Sequence, residues 1–394
     1  MSLETDTINI IDKNEKVYEY GNYYTNEEIK NFDTFEELNL SENTLKGIYA
    51  FGFEKPSQIQ QKAIRPVIDG RSLIAQSQSG TGKTGTFLIS SIEMVDKNMK
   101  QPQIIILSPT RELAKQTYEV CNHLLKFHND ISVHLAIGGV PRNSIARKYS
   151  HLMKNSNNDN INNQIIVGTP GRICDLINKK KLGTDNIRSV ILDEGDEMLS
   201  IGFYEQIIQI INSVSKQASV ILFSATIPKE MITLIEQCNI LNDPLKILVK
   251  QEELSLQGIQ QYYVVIDEQD KYPALKELYE MININQSIIY CNSKKKVEIL
   301  TNYMSEDNFP VKCITGDMTQ EDRNSIIKEF RDGVFRVLIT TDLLSRGLDI
   351  QQISLVLNYD MPKDTEVYLH RIGRGGRYGR KGVAINFADF KMYI

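Results

Sequence analysis

A chain of 394 residues with 41% hydrophobic and 24% charged residues and no Trp has the composition of a globular protein too long for one ordinary core. Its net charge of -5 excludes a histone-like cationic binder, so any nucleic acid must be held by a local track. The five cysteines (121, 174, 238, 291 and 313) form no C-x-x-C pair and the five histidines no H-E-x-x-H, which points to free thiols rather than zinc or disulfides; no run approaches 18 apolar residues, so no membrane crossing is expected.

In chain order, residues 1–32 are polar and acidic without sustained periodicity and are expected to form a mobile leader. Phe53 and Gln60 then precede the first strand pattern. The Gln60 amide can pair with both the N6 donor and the N7 acceptor of adenine, and Phe53 can stack beside the ring. The alternative is an amphipathic helix begun at Pro56, with Phe53 as core.

A strand at 72–75 leads into Ser77-Gln78-Ser79-Gly80-Thr81-Gly82-Lys83-Thr84. Glycines let backbone N–H groups approach phosphate oxygens, Lys83 neutralises the β and γ phosphates of ATP, and the Thr84 hydroxyl can ligate Mg²⁺. Ser77 stands where the general phosphate-loop pattern has its first Gly. Through Gly85 the same residues also satisfy G-x-G-x-x-G, but a dinucleotide site explains neither Lys83-Thr84 nor the acidic strand end that follows.

Further strands are expected at 103–108, 132–136, 164–168, 189–192 and 220–224, with helical patterns such as 113–125 and 204–214 between them. This alternation implies right-handed βαβ units and a parallel sheet. The Asn-rich stretch 155–163 is expected to be a surface loop insertion. Val190-Ile191-Leu192 runs into Asp193-Glu194-Gly195-Asp196, a buried strand delivering two carboxylates to its end. Asp193 is the candidate Mg²⁺ ligand, partly through water, and Glu194 the group that acts on the attacking water. Asp196 and Ser224-Ala225-Thr226 are candidates for coupling this site to a second domain, although Ser-Ala-Thr before Pro228 also suits a helix N-cap.

The pattern lapses into a polar linker and resumes with strands at 260–265, 287–291, 311–314, 336–341, 355–359 and 382–387. The expected division is a leader at 1–32, a first α/β domain at 33–246, a linker at 247–258 and a second α/β domain at 259–394.

With Gln60, the phosphate loop, Asp193-Glu194-Gly195-Asp196 and Ser224-Ala225-Thr226 in this order, the chain resembles the DEAD-box RNA helicases over roughly residues 33–387. Pro109-Thr110-Arg111, Gly138-Gly139, Thr169-Pro170-Gly171-Arg172, Arg323, Thr341-Asp342, Arg346-Gly347, Asp349, His370-Arg371 and Arg374-Gly375-Gly376-Arg377 match further motifs of that family. The resemblance implies two tandem RecA-like domains that bind ATP and Mg²⁺. It makes Glu194, Lys83, Arg374 and Arg377 catalytic, the arginines arriving from the second domain, with Arg371, Arg380 and Lys381 extending their basic cluster. ATP contacts are assigned to Phe53, Gln60, Ser79, Gly80, Thr81, Gly82, Lys83, Thr84, Gly347 and Asp349, and His370 joins Asp196, Ser224 and Thr226 in coupling. Sequence-independent RNA contacts fall to Pro109, Thr110, Arg111, Gly139, Thr169, Pro170, Gly171, Arg172, Gly316, Arg323, Thr341 and Arg346.

Residues 40–50, 248–256 and 341–347 resemble the translation-initiation branch of the family, which implies a cytoplasmic monomer working with an initiation factor 4G-like scaffold. The exon-junction branch, an ATP-locked RNA clamp for which a nuclear location is the alternative, is similar in the first two and favoured by Ala75-Gln76-Ser77-Gln78-Ser79, whereas Asp342-Leu343-Leu344 and Arg374-Gly375-Gly376-Arg377 favour the initiation branch. The chain departs from the family at Gly195, where Ala is usual, and at Thr315-Gly316-Asp317. It also stops soon after the strand at 382–387, so an uncovered sheet face is expected in the second domain.

Overall fold

In a computed structural model the chain forms two compact units, Met1–Ser255 and Leu256–Ile394. The structure describes residues 16–20, 23–77, 80–138, 160–200, 202–227, 243–249, 259–281, 284–342, 353–373 and 382–389. Of the Asn-rich stretch at 155–163, residues 155–159 lie outside them.

The first unit contains β1 (Tyr18–Tyr20), β2 (Tyr23–Thr25), β3 (Leu73–Gln76), β4 (Ile104–Leu107), β5 (Val133–Ala136), β6 (Ile165–Gly168), β7 (Ser189–Asp193), β8 (Ser219–Ser224) and β9 (Leu245–Val249). They form one sheet in the order β1-β2-β9-β3-β8-β7-β4-β6-β5. All pairs from β9 to β5 are parallel, for example Leu73 opposite Ile221 and Ile104 opposite Ser189. Its helices are α1 (Glu42–Phe51), α2 (Gln58–Ile68), α3 (Lys83–Met94), α4 (Arg111–Leu124), α5 (Pro170–Asn178), α6 (Gly195–Ser200) and α7 (Tyr204–Ser213). The central strands are continuous apolar runs because both faces are covered: Ile104 and Ile106 join one core, Ile105 and Leu107 the other.

Two expectations are corrected. Within the supposed leader at 1–32, β1 and β2 form a hairpin, and β2 pairs antiparallel with β9, Tyr23 opposite Val249. Tyr23 is 5% exposed, because Tyr-rich triplets supply the apolar area that the rest of the leader lacks. The expected boundary at 246 cuts through β9, whose Ile247–Val249 half belongs to the first sheet and not to a linker.

The second unit contains β10 (Ile259–Val265), β11 (Ser287–Tyr290), β12 (Val311–Ile314), β13 (Val337–Thr340), β14 (Leu355–Asn358) and β15 (Gly382–Ala388), ordered β10-β15-β14-β11-β13-β12 with every pair parallel. Its helices are α8 (Lys271–Met281), α9 (Lys294–Glu306), α10 (Gln320–Arg331) and α11 (Thr365–Ile372). Ile288, Leu338 and Val356 pack on one face, Ile289, Ile339 and Leu357 on the other. The edge strand β10 differs, with Tyr262 53% and Tyr263 63% exposed. Within each sheet every strand but β2 points the same way, so loops gather at the carboxyl ends, where ligands of open α/β sheets bind.

Candidate active site

In the first unit β3 and α3 flank the phosphate loop. The helix begins at Lys83 behind Gly82, whose φ of +101° a side chain rarely adopts, and Gly80 stands at φ +82°. Contacts also require glycine: a Cβ at Gly82 would lie 2.9 Å from Gln60 Nε2, and one at Gly85 2.7 Å from the same atom and 3.0 Å from Phe53 Cζ. The loop, Gln60 and Phe53 are therefore brought together. Gln60 is 1% exposed; its Oε1 accepts from the Ser57 amide at 2.8 Å in a capping box, and Nε2 donates to the Gly82 carbonyl at 3.3 Å. Phe53 is half-buried against Phe51, ring centroids 5.0 Å apart, so the helix of the alternative reading forms and still leaves Phe53 beside the loop.

Lys83 is buried. Its ammonium donates to the Ser77 carbonyl at 2.8 Å and lies 3.8 Å from Glu194 Oε2. Thr84, one residue on, is half-buried.

Two strands away, β7 ends in Asp193, 2% exposed, and Glu194, 6% exposed. Burial first and the Glu194 charge second push the Asp193 carboxyl from its ordinary 3.8 up to about 8, with Lys83 opposing. Glu194 sits in the left-handed region at φ +54°, an uncommon conformation for a residue with a side chain. It turns the chain from β7 into α6. No feature of the tetrad's composition signals that turn. Asp196 reaches the neighbouring strand end: its amide donates to Ser224 Oγ at 3.3 Å and its Oδ2 accepts from Thr226 Oγ1 at 2.6 Å. Ser224 in turn offers its carbonyl to the Ser77 amide at 2.9 Å.

The backbone-binding motifs sit at two adjacent strand-to-helix turns. After β4, buried Pro109 leads to Thr110, which caps α4 by accepting from the Leu113 amide at 3.2 Å; Arg111 is half-buried beside Gly138. After β6, Thr169 stands at the N-cap position of α5 without a side-chain cap bond, Pro170 is its first residue, and Gly171 has open space where a Cβ would stand. Arg172 pairs with Asp175 at 2.5 Å. Both turns present helix N-termini, which favour phosphate.

In the second unit, Arg323 on α10 donates to the Gly316 carbonyl, Thr341 is half-buried after β13, and His370 on α11 is 1% exposed. Arg371, expected to extend the basic cluster, is wholly buried. Its guanidinium bonds Asp342, Asn358, the Asp360 carbonyl and Asn292 and stacks 5.2 Å over Tyr290. Ser79, Gly139, Arg346, Gly347, Asp349, Arg374, Arg377, Arg380 and Lys381 lie outside the described residues.

The chain matches the DEAD/DEAH box helicase model over residues 57–235 and the helicase conserved C-terminal domain model over 270–379. It is 50% identical over 354 residues to the ATP-dependent RNA helicase eIF4A of Candida glabrata, covering 90% of this chain and 86% of that one. It is 47% identical to eukaryotic initiation factor 4A of Dictyostelium discoideum, covering 92% and 87%. Among solved structures, S. cerevisiae Dbp5 bound to RNA and ADP BeF3 matches with TM-score 0.81 and 37% identity over 90% of this chain and 89% of that one. Two largely parallel sheets of this order, a phosphate loop facing an acidic strand end, and these matches place the chain in the DEAD/DEAH box helicase family.

Proposed function

We propose that this chain is an ATP-dependent RNA helicase of the initiation factor 4A kind, hydrolysing ATP while it holds single-stranded RNA and locally opens short duplexes in translation initiation. The observation that carries the reading is the buried Lys83 ammonium 3.8 Å from the Glu194 carboxylate, with Asp193 beside them. Phosphoryl transfer needs positive charge on the β and γ phosphates and a base near the attacking water, and these residues supply both. Gln60 and Phe53, pressed against the loop, select adenine.

The donor set also fits Mg²⁺: Asp193 carboxylate and Thr84 hydroxyl are hard oxygen ligands, and a cation would offset the burial that otherwise favours a proton on Asp193. Bound there, partly through water, Mg²⁺ would neutralise charge developing on the phosphates. Arg374 and Arg377 supply further charge to the γ-phosphate, Gly347 and Asp349 contact the nucleotide, and Asp196, Ser224, Thr226 and His370 relay its state. The helix N-termini at Thr110-Arg111 and Thr169-Arg172 bind RNA backbone with Pro109, Gly139, Gly316, Arg323, Thr341 and Arg346, which gives sequence-independent recognition. A cytoplasmic monomer working with an initiation factor 4G-like scaffold follows from the same likeness.

Steady-state ATP hydrolysis with and without single-stranded RNA, with GTP as nucleotide control, tests the reading. RNA stimulation, selectivity for ATP and separation of a short RNA duplex are expected. Equal stimulation by DNA would make it a DNA translocase, and a stable ATP–RNA complex without turnover would make it a clamp.

A further inference from the structure

The hairpin of β1 and β2 joins the sheet on the strand next to the phosphate-loop strand, and its register brings one side chain to that loop. Tyr23 pairs with Val249, and Ala75 with Ile247, so two residues further along both strands Ser77 stands level with Val249 and with Tyr23. The Tyr23 side chain crosses β9 in that row. Its hydroxyl lies 3.4 Å from Ser77 Oγ, with Tyr23 5% and Ser77 0% exposed. Burial raises the Tyr23 phenol above its ordinary value, so it stays a neutral hydroxyl. The ammonium of Lys62 lies 5.2 Å from its ring centroid and helps fix the ring.

Ser77 is a junction within the loop. Its hydroxyl bonds the Thr81 hydroxyl, its carbonyl accepts from Lys83 and its amide donates to Ser224. The general phosphate-loop pattern has glycine at this position, which would offer no hydroxyl.

We propose that Tyr23 is a positioning residue for the phosphate loop: through Ser77 it holds Thr81 and the carbonyl that fixes Lys83, so that the N-terminal hairpin pre-organises nucleotide binding. A loop already ordered loses less freedom when phosphate binds. This rests on the nucleotide-site reading above.

The test is ADP affinity and the ATP KM and kcat of the full chain carrying Tyr23→Phe, Ser77→Ala or both, with Lys83→Ala as control. Tyr23→Phe keeps the ring and its packing and removes one long hydrogen bond, so ADP affinity should fall about threefold to fivefold. KM should rise alongside with kcat within twofold, a split that simple loss of stability would not give. In the Ser77→Ala background Tyr23→Phe should have no further effect. Affinity within twofold of the parent, or additive losses in the double variant, overturns the proposal. If Lys83→Ala also leaves ADP affinity unchanged, the nucleotide site itself is misplaced and both readings fall.

Discussion

Each sheet carries a charged cluster at the carboxyl ends of its strands, but the two are balanced differently. In the second unit three cations, Arg371, Lys271 and Lys296, meet three acids, Asp342, Asp360 and Glu268. Five hydrogen bonds satisfy the Arg371 guanidinium. In the first unit three acids, Asp193, Glu194 and Asp196, gather near Lys83, and Glu194 is held at a positive φ. A balanced cluster braces the strands and the end of α11. An unbalanced one keeps a proton or takes a cation, and that need is what makes it a site.

The largest break in this contrast should come from Glu194→Gln. RNA-stimulated kcat is expected to fall ~10²–10⁴-fold, the range for a lost general base, while the melting temperature holds or rises because one buried charge is gone. Turnover within threefold of the parent would remove Glu194 from the chemistry.

Arg371→Met breaks the other cluster and should leave chemistry groups untouched. It strands Asn292, Asn358 and the Asp360 carbonyl, while Asp342, with its side chain 47% exposed, recovers water. The cost should be about 2–4 kcal/mol, below that of severing a fully buried pair. Denaturant unfolding should show it as a weakened transition, with ADP affinity within twofold of the parent. A loss of ADP affinity without a loss of stability would mean that Arg371 serves the nucleotide and not the fold.

Much of this contrast was legible in the sequence and part was not. The phosphate loop and the acidic tetrad are local signals, complete within a few residues, and the strands that carry them fell within a residue or so of expectation. The burial of Arg371 depends on partners at 292, 342, 358 and 360, which only the folded sheet brings together. The hairpin was readable: Gly21-Asn22 between Tyr20 and Tyr23 is a two-residue turn signal, masked by the acidic composition around it. So was β9, an apolar run behind Pro244 that composition at the boundary obscured.

The surplus of acid in the first cluster also predicts a pH dependence. Folded Asp193 keeps its proton up to about pH 8, whereas the unfolded group loses it near 3.8. Between those values the folded chain binds more protons than the unfolded one, so this group's contribution to nucleotide-free stability is full below pH 4 and declines as pH rises to 8. Asp193→Asn should flatten that slope and stabilise the free chain at pH 8 by about 1–3 kcal/mol, while abolishing ATP turnover. Parallel pH profiles for parent and variant in thermal unfolding would place the proton elsewhere.

The smallest effect belongs to Gly195, the one departure inside the tetrad. Sequence alone suggests that restoring Ala would only stiffen the first turn of α6, a gain of up to about 1 kcal/mol. The structure sets a cost against it, since the added Cβ would stand 2.2 Å from Leu222 Cδ1, in the core under β8. That methyl is the free end of a rotatable side chain, so Leu222 can turn away at the expense of packing rather than force the backbone. Gain and cost are of similar size, and Gly195→Ala should move stability by less than about 1 kcal/mol and kcat by less than threefold. Pairing it with Leu222→Val, which removes the colliding methyl, should recover the helix gain and make the Ala substitution stabilising in that background. A tenfold loss of kcat from Gly195→Ala alone would show that the backbone freedom of Gly195 sets the left-handed turn at Glu194, and that the acidic cluster is tuned by strain as well as by charge.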